Sequence, residues 1–390
     1  MKIAVISGID KPTVRNSKGG VEVWTANFVA EQAKRNHQID LYSVRGSLNG
    51  QNIQLLEILD KPLADYYTDK FFTTLPLEFS KRKEQLMATI YGSAFLQIKA
   101  KENEYDIIVD SCSYPSFTFN THYFRKPTII IGHFPLNFAT RFYFENFPVA
   151  VETSSDYFVF PSQYQFNQAS FIPESLKVII PHGIDSGQFR FDATGGEDMV
   201  WLSRFHHIRM DKGLKQAIVS SSHLKKNLKV FAFIEQTSKQ YFDSNIKPLM
   251  KDHISLHEVG EDEQINRNEV FGSSKLFLFP IQWEEPFGLV MLESMASGTP
   301  IIAFARGSVP EIIEDGKTGF IVNPSDSDIR GDFIIRKTGM DGLYEAIDRI
   351  YGLSVEEYAA MRKQCRERVE QKFSLEHMVD GYEQLYKKII

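Results

Sequence analysis

Short, nearly continuous apolar runs recur along the chain, each followed by a segment whose apolar residues repeat with helical spacing. Runs of that kind read as strands buried on both faces, and their regular alternation with helices implies parallel sheets covered on two sides. In the first half the pattern predicts strands over 2–7, 38–43, 107–110, 128–131 and 157–161. It also predicts a first helix over 21–35 and a mostly helical stretch over 63–105. A second series starts after Pro181-His182-Gly183-Ile184-Asp185, with strands predicted over 199–202, 228–234, 254–257, 275–279, 301–304 and 319–322. The stretch 191–198, with Gly195-Gly196 and two acids, reads as a linker. Two α/β series of similar size predict two Rossmann-like, doubly wound domains facing a cleft, over 1–185 and 186–372. Over 373–390, Leu375, Met378, Val379, Tyr382, Leu385, Tyr386 and Ile389 follow helical spacing. This last helix needs an apolar surface, and it is expected to pack back toward the first domain.

The 390 residues exceed what one typical core holds, which agrees with two domains. A hydrophobic fraction of 43% and a charged fraction of 24% are those of an ordinary globular protein. The net charge of -6 argues against nucleic acid as a partner. Cys112 and Cys365 stand far apart and show no zinc spacing. No apolar run approaches the ~18 residues of a membrane span. Met1-Lys2-Ile3-Ala4-Val5-Ile6 already reads as a strand, so no signal peptide is expected and a cytoplasmic location is.

Candidate chemistry concentrates in Glu285-Pro286-Phe287-Gly288-Leu289-Val290-Met291-Leu292-Glu293. It follows the apolar run Leu276-Phe277-Leu278-Phe279-Pro280 and leads into a short helix pattern stopped by Gly298 and Pro300. A Gly turn between strand and helix directs free N–H groups into the crevice, and such a terminus suits a phosphate. Two carboxylates there would repel that phosphate unless they grip something else, such as sugar hydroxyls. Phosphate and polyol together point to a nucleotide sugar. The competing reading is helix capping and salt bridging, since acids at helix starts suit the dipole. Paired-carboxylate glycoside hydrolysis fits less well, because a helix N-terminus stands between the two acids.

Other motifs each carry two readings. Gly19-Gly20-Val21-Glu22, between the first strand and helix, is either a loop hinge or a close backbone approach to a ligand. It is not the dinucleotide fingerprint, which weakens an oxidoreductase reading. Arg204 and Lys212 follow a strand and precede a helix, where cations either neutralise a leaving pyrophosphate or line a solvated basic loop. His206-His207 lacks a carboxylate at ligand spacing and reads as surface. His133, at the carboxyl edge of a strand, is either a satisfied core residue or a contact to a sugar hydroxyl. Asp110-Ser111 ends another strand in the same half. Lys81-Arg82-Lys83 is either a solvated face or a peripheral membrane contact for a lipid acceptor. Asp326-Ser327-Asp328 lies in a late polar loop and not at a strand end, so no catalytic metal and no cofactor are expected.

Taken in order, these residues resemble the retaining glycosyltransferases of family 4, which have the GT-B fold. The likeness rests on Gly19-Gly20-Val21-Glu22, His133, Pro181-His182-Gly183-Ile184-Asp185, Arg204, Lys212-Gly213 and the Glu285-x7-Glu293 motif. Gly298-Thr299-Pro300, Gly307-Ser308-Val309-Pro310-Glu311 and Asp315-Gly316-Lys317-Thr318-Gly319 extend it. The resemblance implies transfer of a hexose from a nucleoside diphosphate sugar to a sugar, lipid or small-molecule acceptor. It places Arg204 and Lys212 on the donor diphosphate, with Phe287 and the N–H groups of Gly288, Leu289 and Val290. Glu285 would hold the transferred sugar, Glu293 the ribose, His133 the sugar, and Gly19-Gly20 the phosphates. Seven residues separate Arg204 from Lys212, more than the family's usual four, so Arg209 is a substitute for one of them. Glu235 stands where a glycine is usual, His182 where asparagine is commoner, and 325–341 is longer than the usual connection. Alternatives within the same outline are a GT-B nucleotide-sugar epimerase and a degenerate sugar-nucleotide-binding subunit.

Overall fold

Both sheets are built from the continuous apolar runs. The computed structural model describes residues 1–17, 19–66, 76–112, 123–136, 141, 146, 155–206, 211–260 and 263–390. The chain divides into one unit of Met1–His182 with Leu375–Ile390 and a second of Gly183–Ser374.

The first unit holds β1 (Lys2–Ile6), β2 (Gln38–Val44), β3 (Ile53–Leu59), β4 (Ile107–Asp110), β5 (Thr128–Ile131), β6 (Asp156–Phe160) and β7 (Lys177–Ile179), with helix α1 (Gly20–Lys34) after β1. Its sheet runs β3-β2-β1-β4-β5-β6-β7, and every pairing is parallel. The second unit holds β8 (Met199–Phe205), α2 (Leu214–Leu224), β9 (Leu228–Ile234), β10 (Ile254–Glu258), α3 (Arg267–Gly272), β11 (Leu276–Phe279), α4 (Leu289–Ala296), β12 (Ile301–Phe304), β13 (Gly319–Val322) and α5 (Val355–Lys372). This sheet, β10-β9-β8-β11-β12-β13, is again all parallel. These are the two Rossmann-like domains that the pattern predicts. Each order reverses once, beside β1/β4 and beside β8/β11, and ligands of doubly wound sheets bind at the carboxyl ends flanking such a reversal.

The strands β3 and β7 escape the sequence reading. Both have half-buried or exposed positions throughout, so neither shows the unbroken apolar run of a central strand. The strand β8 runs on to Phe205, so Arg204 lies within its end and not after it. The segment 191–198 is no free linker either, because it belongs to the second unit, where the Asp192 carbonyl is bound by Arg362 at 2.6 Å. The final helix α6 (Leu375–Ile389) completes the first unit against α1. There Tyr382 meets Phe28 edge-on at 4.9 Å, Gln32 donates to the Tyr386 hydroxyl at 3.1 Å, and Arg35 pairs with Asp380 at 2.7 Å. The side chains of Lys81-Arg82-Lys83 lie outside the described residues. Among the described residues no helix is long and apolar enough to cross a membrane.

Arg362 on α5 is fully buried, and its guanidinium donates to the carbonyls of Asp192, Gly272, Ser274 and Ser297 and to the Tyr358 hydroxyl. Each carbonyl stranded without a donor costs ~1–3 kcal/mol. Arg362→Leu is therefore expected to lower the unfolding free energy by roughly 3–5 kcal/mol, the range for breaking a buried charged network. Urea denaturation measures this, and a loss below about 1 kcal/mol would contradict the assigned role.

Candidate functional site

In the second unit the loops after β8 and β11 stand side by side at the sheet's reversal point. Their spacing is set by backbone contact. Gly213 has φ 76°, and a Cβ there would collide with the Pro280 carbonyl. The amide of Gln282 donates to the Asp211 carbonyl at 2.9 Å, and Trp201 Nε1 donates to the Lys212 carbonyl at 3.1 Å. Lys212 is thereby carried to the β11 loop, where its ammonium pairs with Glu285 Oε2. Trp283 completes this group. Its Nε1–H donates to the same Oε2 at 2.9 Å, and its ring lies 4.4 Å beneath the Lys212 Nζ. The Lys212 and Glu285 side chains are 14% and 10% exposed, so the pair is largely withdrawn from water yet reachable.

The preceding acid, Glu284, turns elsewhere. It accepts from the Gly307 amide at 2.6 Å and pairs with Arg306 at 3.0 Å and Arg330 at 2.7 Å. The Ser308 amide donates to the Glu285 carbonyl at 2.9 Å, and the Ser308 hydroxyl to the Phe287 carbonyl at 2.7 Å. Thus the segment 306–308 clamps the backbone that presents Glu285. Asp328 bridges Arg306 and Arg330, which ties the long connection after β13 to the same clamp.

Gly288 is the N-cap of α4 and, having no side chain, gives no cap hydrogen bond to the amides at the helix start. Phe287 is buried edge-on to Phe373 at 5.9 Å, a packing role. Glu293, one helical turn in, is nearly fully buried and paired with Arg267. Its other oxygen, Oε2, is buried with no hydrogen-bond partner among the described residues. Burial raises the Glu293 pKa, and the Arg267 charge only partly opposes this. Glu285 and Glu293 accordingly face different partners, as their spacing implies.

Arg204 stands apart from the Lys212 group. Its side chain is 49% exposed and reaches Glu235 at 3.4 Å, an exposed pair of the sort worth ~0–1 kcal/mol. Arg209 lies outside the described residues, as does His207.

The first unit gathers a second polar group at the ends of β1, β4 and β5. His133 Nδ1 lies 3.2 Å from His182 Nε2, and His133 Nε2 lies 3.0 Å from Ser111 Oγ. Ser111 meets Thr25 of α1 at 2.6 Å, and the Trp24 ring packs edge-on against His133 at 4.8 Å. Desolvation drives the His133 pKa from 6.5 to about 3, and pushes His182 well below its ordinary value. Both rings are neutral near pH 7. Asp110 is buried and accepts from the Cys112 amide at 3.0 Å. Gly19 lies against the Glu22 carboxylate, where a Cβ would collide, whereas a Cβ on Gly20 would meet nothing within 4 Å among the described residues. Trp283, Glu284 and Arg267 are site neighbours that the motifs do not mark; an aromatic between β11 and Glu285 is the one local signal that points to Trp283. Among the described residues no group of three or more His, Cys, Asp or Glu converges as metal ligands do.

Residues 202–332 match the model of the family described as glycosyl transferases group 1. Spore coat protein SA of Bacillus subtilis (strain 168) is 39% identical over 75 residues, 19% of this chain and 19% of that protein. The N-acetyl-alpha-D-glucosaminyl L-malate synthase of Bacillus anthracis is 33% identical over 139 residues, 35% of this chain and 32% of that protein. The chain therefore spans only about a fifth to a third of the length of these two relatives. Two solved structures cover all of this chain: sucrose-phosphate synthase from Thermosynechococcus elongatus (TM-score 0.73, 18% identity, 98% of that chain) and Anabaena HepE in complex with UDP and glucose (TM-score 0.68, 16% identity, 99% of that chain). The fold is GT-B. The likeness to the group 1 glycosyl transferases is thus confined to the segment 202–332, about a third of the chain. The matched segment contains Arg204, Lys212, Glu285 and Glu293, while His133 and Gly19-Gly20 lie outside it.

The histidine pair makes stability pH-dependent with a definite sign. Folded-state values depressed below 6.5 mean that the unfolded chain binds more protons between about 6.5 and the folded value, so stability present above pH 6.5 is lost as pH falls. Each ring contributes at most about 1.4 kcal/mol per pH unit in that window. The denaturation midpoint is expected to drop from pH 7 to pH 5, and His182→Gln to flatten that drop. An equally steep profile in the variant would refute the assignment.

Proposed function

We propose that this protein is a retaining glycosyltransferase that moves a hexose from a nucleoside diphosphate sugar to an acceptor hydroxyl. The observation that carries the reading is the Lys212–Glu285 pair on Trp283, set beside the uncapped start of α4 at the sheet's reversal point. A ligand that opens this pair must offer an anion to the ammonium and a hydroxyl to the carboxylate, and a nucleotide sugar offers both. Glu293, with its open buried oxygen one turn further on, suits the ribose hydroxyls. The relatives' names support the class: one makes a glucosaminyl malate, and another was solved with UDP and glucose.

In the proposed step the bond between the anomeric carbon and the β-phosphate oxygen breaks, and its electron pair leaves with that oxygen. Lys212 and the N–H groups of Leu289 and Val290 stabilise the charge, with Arg204 released from its weak pair with Glu235. The acceptor oxygen then bonds to the anomeric carbon on the same face, and its proton passes to the departing phosphate. His133, neutral at the working pH, serves as a hydrogen-bond partner to a hydroxyl and not as a cation. The reading includes no metal ion, since no Asp-x-Asp pair stands at a strand end.

The deciding experiment is a thermal-shift panel of UDP-, GDP- and ADP-sugars in buffer containing EDTA. At ~100 times its Kd a true ligand adds about 2.7 kcal/mol. No shift from any member refutes nucleotide-sugar binding, and a shift seen only after magnesium is restored refutes the metal-free reading. Where turnover is assayed, Lys212→Ala and Glu285→Ala are each expected to lower it ~10²–10³-fold, the usual effect of losing one preorganised electrostatic group. Near wild-type turnover in either would remove that residue from the mechanism.

A further inference from the structure

We infer that Trp283 is a positioning residue that fixes which oxygen of Glu285 is presented to the donor sugar, and that it cradles the Lys212 ammonium while doing so. The inference rests on the proposed transferase reading and deepens it. Both hydrogen bonds to the Glu285 carboxylate converge on one atom. Oε2 accepts from the Lys212 ammonium and from Trp283 Nε1–H at 2.9 Å, and among the described residues none reaches Oε1. The carboxylate is thus divided into a held oxygen and an offered one.

Its backbone is equally constrained. The Ser308 amide binds the Glu285 carbonyl, and a Cβ on Gly307 would collide with that same carbonyl. With the main chain fixed, the carboxylate plane is set by what holds Oε2. When Lys212 turns toward a phosphate, its ion pair with Oε2 is lost, and the indole N–H becomes the remaining tether. The same ring keeps the ammonium close, because Nζ lies 4.4 Å over its face and a cation is favoured there. One side chain therefore lets Lys212 change partners without releasing Glu285. Phe279, 5.8 Å from Nζ, offers a second aromatic face but no N–H donor.

The test separates the two functions of the indole. Trp283→Phe keeps an aromatic face for Lys212 and removes the N–H, whereas Trp283→Leu removes both. Trp283→Phe is expected to lower kcat about tenfold to a hundredfold, the scale of a misplaced catalytic group, with KM for the nucleotide sugar nearly unchanged. Trp283→Leu is expected also to weaken binding of the nucleoside diphosphate alone. If Trp283 acts through Glu285, the kcat penalty of Trp283→Phe disappears in a Glu285→Gln background; independent, additive losses would overturn the inference. A readout that survives poor folding of the variants is available in the wild type. Of its three tryptophans, Trp24 and Trp201 are buried at 1% and 0% exposure; Trp201 reaches only the Lys212 carbonyl, and Trp283 is the one bonded to the paired carboxylate. Adding a nucleotide sugar that produces a thermal shift is expected to change the tryptophan emission. Binding with unchanged emission, or wild-type kcat in Trp283→Phe, would sink the role of Trp283 while leaving the transferase reading intact. Absence of nucleotide-sugar binding to the wild-type protein would sink the transferase reading itself.

Discussion

The site in the second unit depends on two places where backbone meets backbone without room for a side chain. At Gly213 the β8 loop presses on the Pro280 carbonyl, and at Gly307 the β12 loop presses on the main chain of Glu285. Both glycines have φ in the left-handed region, which an L side chain adopts only with strain. These contacts fix the segment 280–288 from two sides. Lys212, carried by one loop, and Glu285, carried by the other, meet because their main chains leave no slack. The chemistry is positioned by sterics before any charge acts.

Charge then sorts the two adjacent acids. Glu284 and Glu285 would repel if they shared an environment, yet each is matched separately. Glu284 faces Arg306 and Arg330 and accepts the Gly307 amide, so it reinforces the clamp. Glu285 faces a lysine and an indole, partners that a ligand can replace or share. The distinction lies in geometry: Arg306 and Arg330 are held further by Asp328, whereas Lys212 has one carboxylate and two aromatic faces. A network of several charges resists rearrangement better than a single pair. One acid sits in a charge network, and its neighbour in a single ion pair beside an indole.

Most strands were legible in the sequence because their apolar runs are unbroken or nearly so. The runs at 107–110, 128–131, 228–234, 301–304 and 319–322 coincide with the observed strands, residue for residue. Ile53–Leu59 was hidden because an edge strand tolerates Gln54 and Glu57, which break the run. The Glu285-x7-Glu293 spacing implied that the two acids face different partners, but their cations could not be read, since Lys212 and Arg267 arrive through tertiary packing. Trp283 was hidden for another reason. An aromatic next to a strand reads as core, and nothing in its spacing reveals that its N–H is spent on a carboxylate.

Two ion pairs of the second unit, Arg204–Glu235 and Lys212–Glu285, bear differently on what a ligand must supply. The Arg204–Glu235 pair is exposed and spans 3.4 Å, so it holds Arg204 by no more than ~1 kcal/mol. Almost any anion could draw Arg204 away. The Lys212–Glu285 pair is nearly withdrawn from water, and separating it leaves two poorly solvated charges, a cost of several kcal/mol per pair. An inorganic phosphate would satisfy the lysine and leave the carboxylate with the indole N–H alone. A neutral sugar would satisfy the carboxylate and compete poorly for the lysine. On the proposed reading, a molecule joining diphosphate to sugar offsets both losses at once, so the pair discriminates against either fragment alone. Glu235, which Arg204 meets, would then tune only the ease of phosphate capture. The buried pair would set the demand for the intact donor.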